Sequence, residues 1–219
     1  MRESQLGRMA WTDVAAPMLV VPVGSCEQHG PHLPLHTDTV IAVALADALA
    51  ARRSGCVVAP ALTITASGEH QGFAGTLSIG TDAMVDVLVE LVRSADWAAG
   101  VVFVNGHGGN MAAMHRAMTA FEREHRSVFV WWPKVPEGDP HAGHVETSLM
   151  LALAPEQVRL ERAVTGPVPA TAELVRSGVR PISESGVLGD PTSASAADGT
   201  MLFAELAEQL VESVAGWAP

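Results

Sequence analysis

The stretch from Val23 to Thr39, VGSCEQHGPHLPLHTDT, sets Glu27, His29, His32, His36 and Asp38 among glycines and prolines, in a chain of 219 residues that is 48% hydrophobic. Carboxylates and imidazoles crowded in this way are the side chains that hold divalent ions or move protons. Two further places complete the set. His107 stands among glycines in VNGHGGN, and His141, His144 and Glu146 fall together in HAGHVETS. All nine histidines lie between His29 and His144, a bias that a chance scatter would rarely give.

Each candidate has a plain structural reading beside the chemical one. Glu27 and His29 are two apart, so in an extended backbone their side chains leave the same face and can converge. Asp38 opens a helical segment, where a carboxylate could simply cap the exposed amides. The glycines around His107 leave room for close approach to an ion or substrate, but a turn can hold a histidine without using it. In a helical HVETSLMLAL, Leu149 and Met150 lie three and four positions after Glu146. Its carboxylate therefore shares a side with core residues and needs a strong partner.

Glu27, His29, Asp38, His107 and Glu146 make five candidate ligands, one more than a tetrahedral ion accepts. Two ions sharing one carboxylate are the economical solution. With no thiolate in the set, zinc, manganese or iron(II) suits it better than a structural cysteine-type zinc site. Paired ions of this kind serve hydrolysis, by activating water and polarising a carbonyl.

The elements that must position these residues follow from hydrophobic pattern. MLVVPV (18–23), CVVAPAL, GVVFVNG (100–106) and SVFVWW read as strands. Helices are expected over 39–53, 82–97, 111–125, HVETSLMLAL and TMLFAELAEQLVESV. Strand and helix alternate, which predicts an α/β fold: a three-layer α/β/α arrangement around a mostly parallel sheet, with residues 1–219 as one domain. In such sheets the working loops follow the carboxyl ends of strands, where GSCEQHG and NGHGGN fall. The Gly-, Pro- and Ser-rich segment 165–199 reads as an irregular excursion: a lid, a subunit contact or a surface loop.

Composition narrows the partners. A formal net charge of −11 argues against nucleic acid, whose binding draws on clustered Lys and Arg. The N-terminus has no apolar h-region and the apolar runs are too short to span a bilayer, so no membrane role is expected and the cytoplasm is the default. Two cysteines, Cys26 and Cys56, make no disulfide framework.

In order and spacing, PVGSCEQHGPHLPLHTD, GEHQGFAGTLSIG, VNGHGGN and HAGHVETSLMLAL resemble the creatininase family of binuclear-metal amidohydrolases, with SESGVLGDPTSASAADG similar to its closing segment. Within the family the motifs look most like the branch that acts in mycofactocin maturation, removing a C-terminal Val-Tyr-derived unit from a precursor peptide. The resemblance implies two divalent ions (Zn, Fe or Mn), with Glu27 and His107 on one, His29 and Glu146 on the other, and Asp38 bridging. In creatininase itself a glutamate ligand stands two positions after the matching histidine. Here that position is Gly109, and Glu146 is the replacement chosen on physical grounds. His141 matches a histidine that works beside the metals, and is the candidate to protonate the departing amine. Glu69 and His70 are expected to line the substrate pocket. Trp131 and Trp132 could form an aromatic wall there, although ordinary packing is the competing reading. Family members usually form homo-oligomers, so an oligomer such as a hexamer is expected.

Other readings remain at this point. Another amidohydrolase of the family, acting on a small creatinine-like amide or a formamide, would share every motif. A non-catalytic metal-binding protein on the same fold would bind ions without turnover. A serine hydrolase could use GHGGN as an oxyanion loop, but the chain has no Gly-x-Ser-x-Gly elbow. A dinucleotide site would need a further glycine at the right spacing.

Overall fold

The computed structural model describes residues 4–134 and 139–217. Four strands, β1 (Met18–Val23), β2 (Cys56–Val58), β3 (Gly100–Asn105) and β4 (Val128–Trp131), form a parallel sheet in the order β2-β1-β3-β4. Among the described residues the helices are α1 (Thr37–Arg52), α2 (Gly80–Ser94), α3 (Met111–Arg123), α4 (His144–Leu153), α5 (Thr171–Ser177) and α6 (Ala196–Ala215). None is long and apolar enough to cross a membrane.

Every residue of β1 and β3 is buried, because helices cover both faces of the sheet. Alternation along the strands divides the core in two. Leu19, Val21, Val101 and Phe103 pack with Met84, Leu88 and Phe121 of α2 and α3. Val20, Val102 and Val104 face the other way, onto Leu45, Leu149 and Leu210 of α1, α4 and α6. Burying each such leucine contributes about 1.5–3 kcal/mol. The result is the expected three-layer α/β/α fold.

The strand order also places the site. From β1 the chain moves to one side to reach β2, then crosses back beyond β1 to β3 and β4. Crossovers of one handedness running in opposite directions put α1 on one face and α2 and α3 on the other. The loops after β1 and β3 therefore part, leaving a crevice at the carboxyl ends of adjacent strands.

Three local expectations need correction. Strand β2 stops at Val58 instead of continuing through CVVAPAL: Ala59 still donates to Val20, but Pro60 has no N–H to continue the ladder. Strand β4 ends at Trp131, one residue short of the SVFVWW run, and the Trp131 side chain is buried. The segment 165–199 is no simple surface loop. It contains α5, and Val179, Ser183, Val187 and Leu188 within it are buried.

Candidate active site

The loop after β1 supplies Glu27, His29 and Asp38, with Asp38 in the first turn of α1. Glu27 and His29 are fully buried, and Asp38 is 1% exposed. Asp38 does not act as a helix cap. It accepts instead from the Ser25 hydroxyl at 2.8 Å and faces His29 Nε2 at 3.0 Å. Its second oxygen, the one bonded to Ser25, lies 3.2 Å from His107 Nδ1. His107 arrives on the turn after β3, where Asn105 and Asn110 bond that turn to itself and to Gly24.

Glu146 enters from the first turn of α4. Its Oε2 accepts from the Ala142 N–H at 2.6 Å and stands 3.6 Å from His29 Nε2. Asp139 aligns this helix by accepting from the N–H groups of His144 and Val145, which would otherwise be unpaired. Four groups of ligand-type atoms result among the described residues; Glu27-Asp38-His107 and His29-Asp38-Glu146 share Asp38, and the others are Glu27-His29-His141 and Glu27-Glu69-His70.

This donor set fits divalent ions. Both carboxylate oxygens of Glu27 are buried without a hydrogen bond, although His107 Nε2 and His70 Nε2 lie 3.1 and 3.3 Å away. Donor atoms about 2.0–2.2 Å from one tetrahedral ion stand roughly 3.3–3.6 Å from each other, close to the 3.0 and 3.6 Å from His29 Nε2 to Asp38 and Glu146 and the 3.2 Å from His107 Nδ1 to Asp38. Among the described residues, no Lys or Arg pairs with Glu27, Asp38 or Glu146, so the buried acids need positive charge from another source.

Without ions, protons fill that need. Burial disfavours charge on His29, but Asp38 and then Glu146 and Glu27 outweigh it and hold its pKa at about 10. His107 is raised in the same way, against its burial, by Glu27, Asp38 and Glu69. Asp38 is driven well below the usual carboxylate range by His29 and His107, despite burial that opposes its charge. Burial pushes Glu146 up to about 7. His141 goes the other way, held well below the ordinary imidazole value by burial and by the nearby His29 and His70, and is neutral.

His141 lies at the centre of this cluster. Its ring centroid is 4.3 Å from those of both His29 and His70, and its Nδ1 is 3.8 Å from Glu27. Its backbone pairs with Leu188, which ties the segment 165–199 to the site. Glu69 and His70 come from the long connection after β2, with Glu69 3.2 Å from His107 and His70 3.3 Å from Glu27. Glu69 also explains Gly109, since a Cβ there would collide with the Glu69 carboxylate.

A cleft of about 210 Å³ opens onto His107 and Glu146, with Met111, Trp132 and Pro140 on its walls. Trp132 lines it and stacks edge-on to His115, while Trp131 is buried in the core shared with α4 and α6. Trp131 is the last residue of β4 and is buried in the core, whereas Trp132 lies just past the strand and reaches the cleft. His32 is buried against Thr147, and burial lowers its pKa to about 4. His36, His115 and His125 are exposed, and His144 contacts Ser193 away from the cluster.

Sequence reasoning missed Gln28 and Ser25. The Gln28 side chain touches His70, His141 and Gly186. Its place between Glu27 and His29 was the available signal.

Residues 7–214 match the family model for creatinine amidohydrolase. The chain belongs to the creatininase family. This is a family of metal-dependent amidohydrolases, and the chain is a hydrolase of that kind. It is 50% identical to the mycofactocin precursor peptide peptidase of Mycobacterium tuberculosis, over 93% of this chain and 87% of that one. The peptidase of the same name from Mycolicibacterium smegmatis is 47% identical, over 93% and 86%. A solved mutant creatininase of Zn-Zn type superposes with a TM-score of 0.84 over 99% of both chains, at 23% identity. That likeness concerns the fold.

Proposed function

We propose that the chain, as one metallohydrolase domain, is a binuclear-metal peptidase that removes the C-terminal Val-Tyr-derived unit from a mycofactocin precursor peptide. The single observation that carries the two-ion reading is the Asp38 carboxylate, whose oxygens face His29 on one side and His107 on the other. The peptide substrate is supported by the likeness to the two mycobacterial peptidases.

Glu27 and His107 would hold one divalent ion and His29 and Glu146 the other, with the Asp38 carboxylate available to both. Zinc, manganese or iron suits these donors. When bound, such a pair polarises an amide carbonyl and lowers the pKa of water toward about 7. Trp132 and Met111 receive the side chain next to the cleaved bond, while Glu69 and His70 border the pocket beside His107 and Glu27.

His141 handles the proton. Its Nε2 donates to the Gln28 carbonyl at 2.7 Å, so Nδ1 carries the free lone pair on the Glu27 side. A neutral imidazole must take a proton before it can give one. Nδ1 accepts from the attacking water and then passes the proton to the amide nitrogen, which leaves as an amine.

The test is to reconstitute the protein with metal and offer a peptide ending in Val-Tyr, its cross-linked form, and creatinine. Release of the C-terminal unit, read by product mass, is the expected result. Turnover of creatinine alone would replace the peptidase reading, and metal uptake without any turnover would leave a binding protein.

A further inference from the structure

Four imidazoles gather around Glu27, and three of them share one arrangement. His29 Nδ1 faces the backbone oxygen of Glu27 at 3.1 Å, His107 Nε2 that of Ala66 at 3.0 Å, and His141 Nε2 that of Gln28 at 2.7 Å. A backbone carbonyl only accepts, so each of these nitrogens carries a proton. The remaining nitrogen of each ring turns toward a carboxylate: His29 Nε2 and His107 Nδ1 toward Asp38, and His141 Nδ1 toward Glu27, while the protonated Nε2 of His107 also lies 3.1 Å from Glu27 and 3.2 Å from Glu69. That is how an imidazole must sit to offer a lone pair to an ion or a proton.

His70 is reversed. Its Nδ1 lies 2.8 Å from the side-chain nitrogen of Gln28, and that amide has only one sensible orientation. Oε1 of Gln28 accepts from the Gly30 N–H at 2.9 Å, while Nε2 donates to the Gly186 carbonyl at 3.1 Å. Two backbone partners, one donor and one acceptor, distinguish the amide oxygen from the amide nitrogen. His70 Nδ1 must therefore accept, which leaves the proton on Nε2, facing Glu27 Oε1 at 3.3 Å.

The geometry points to Gln28 as a positioning residue that fixes the tautomer of His70 and thereby keeps Glu27, Glu69 and His70 from binding an ion. Those three bring ligand atoms as close together as the two groups that share Asp38 do. What separates them is a proton aimed inward where a ligand needs a lone pair. Gly186 makes the arrangement possible. It has φ +84, and a side chain there would collide with the Gln28 carboxamide. The inference rests on the two-ion reading only in taking Glu27 as a ligand shared with the neighbouring centre.

The deciding measurement is the ring-nitrogen spectrum of histidine-labelled full-length protein, zinc-loaded and metal-free, with the His70 signals assigned by their loss in His70→Asn. The expected pattern for His70 is a bare Nδ1 and a protonated Nε2, and a proton on Nδ1 in the wild-type protein overturns the proposal. Gln28→Glu replaces the donor by an acceptor, which should move the proton to Nδ1 and release the Nε2 lone pair. Zinc titration of this variant should then show one equivalent more than wild type, and unchanged stoichiometry with the proton moved also overturns it. If Gln28→Glu does not fold, the wild-type tautomer still decides. Failure of the two-ion reading would appear separately, as absence of zinc uptake by wild type, and the tautomer remains readable in the metal-free chain.

Discussion

The loop after β1 and the segment 165–199 reach the same cluster from distant parts of the chain, by different physical means. Between residues 24 and 38 the loop contributes side-chain atoms: the carboxylates of Glu27 and Asp38 and the imidazole of His29, all buried. The later segment contributes backbone. Gly186 accepts from Gln28, Leu188 pairs with His141 in both directions, and the Val179 N–H donates to the Glu69 carbonyl. One region presents the reacting groups, while the other holds their carriers in place. The two should therefore fail differently when altered.

The largest effect is expected at Asp38, which faces both histidine groups. Asp38→Ala removes the shared carboxylate, so uptake of both ions and all peptidase turnover should fall to background. Metal analysis after dialysis against zinc checks this, and a variant that retains two equivalents would dissolve the two-ion reading. Next comes His141, the proposed proton carrier, which is not among the five proposed ligands. His141→Ala should keep the metal and lose about 10²–10⁴-fold in kcat, the usual range for a positioned acid or base. Full activity in that variant would remove the proton-transfer role.

The same contrast explains what could be read from sequence. Glu27, His29, Asp38, His107 and Glu146 could be singled out as candidates by residue type, and the fold brings them together; β1 and β3 were legible because both read as short, buried, β-branched runs. The role of segment 165–199 was not visible, since a backbone carbonyl at Gly186 looks the same in any sequence. Gln28 fell between these cases. Its type marks it as a hydrogen-bonding residue, but the acceptors of its amide, His70 and Gly186, lie 42 and 158 positions away. Trp131 and Trp132 show a third case. The end of β4 falls between them, so one could be placed at the cleft only once that end was known.

A smaller effect should follow from disturbing the backbone region. Gly186→Ala demands a left-handed conformation of a residue with a Cβ and pushes that Cβ into the Gln28 amide. The cost should be about 1–3 kcal/mol in denaturant unfolding, with turnover reduced and no zinc equivalent lost relative to wild type. Loss of zinc from this variant would show that the segment does more than hold carriers, and would blur the contrast.

The smallest effect is a pH dependence that the histidines of the turns after β1 and β3 should produce and the segment 165–199 should not. In the metal-free chain the folded-state pKa of His29, about 10, lies above its unfolded value of about 6.5. A raised pKa means that the folded state binds the proton more tightly. The stabilisation it supplies is complete below the unfolded value and is lost as pH rises toward about 10. His107, raised in the same direction, adds to that loss. Bound ions use the inward nitrogen in place of the proton, and deprotonated ligands favour uptake. Thermal melts at pH 6, 8 and 9.5 should therefore show the metal-free protein falling away while the zinc-loaded protein holds, so the gap in Tm widens with pH. Zinc binding in weakly buffered solution at pH 8 should also release protons. A constant gap with no proton release would mean that the charge on His29 is not the one an ion displaces, and the assignment of that nitrogen to a metal would have to be abandoned.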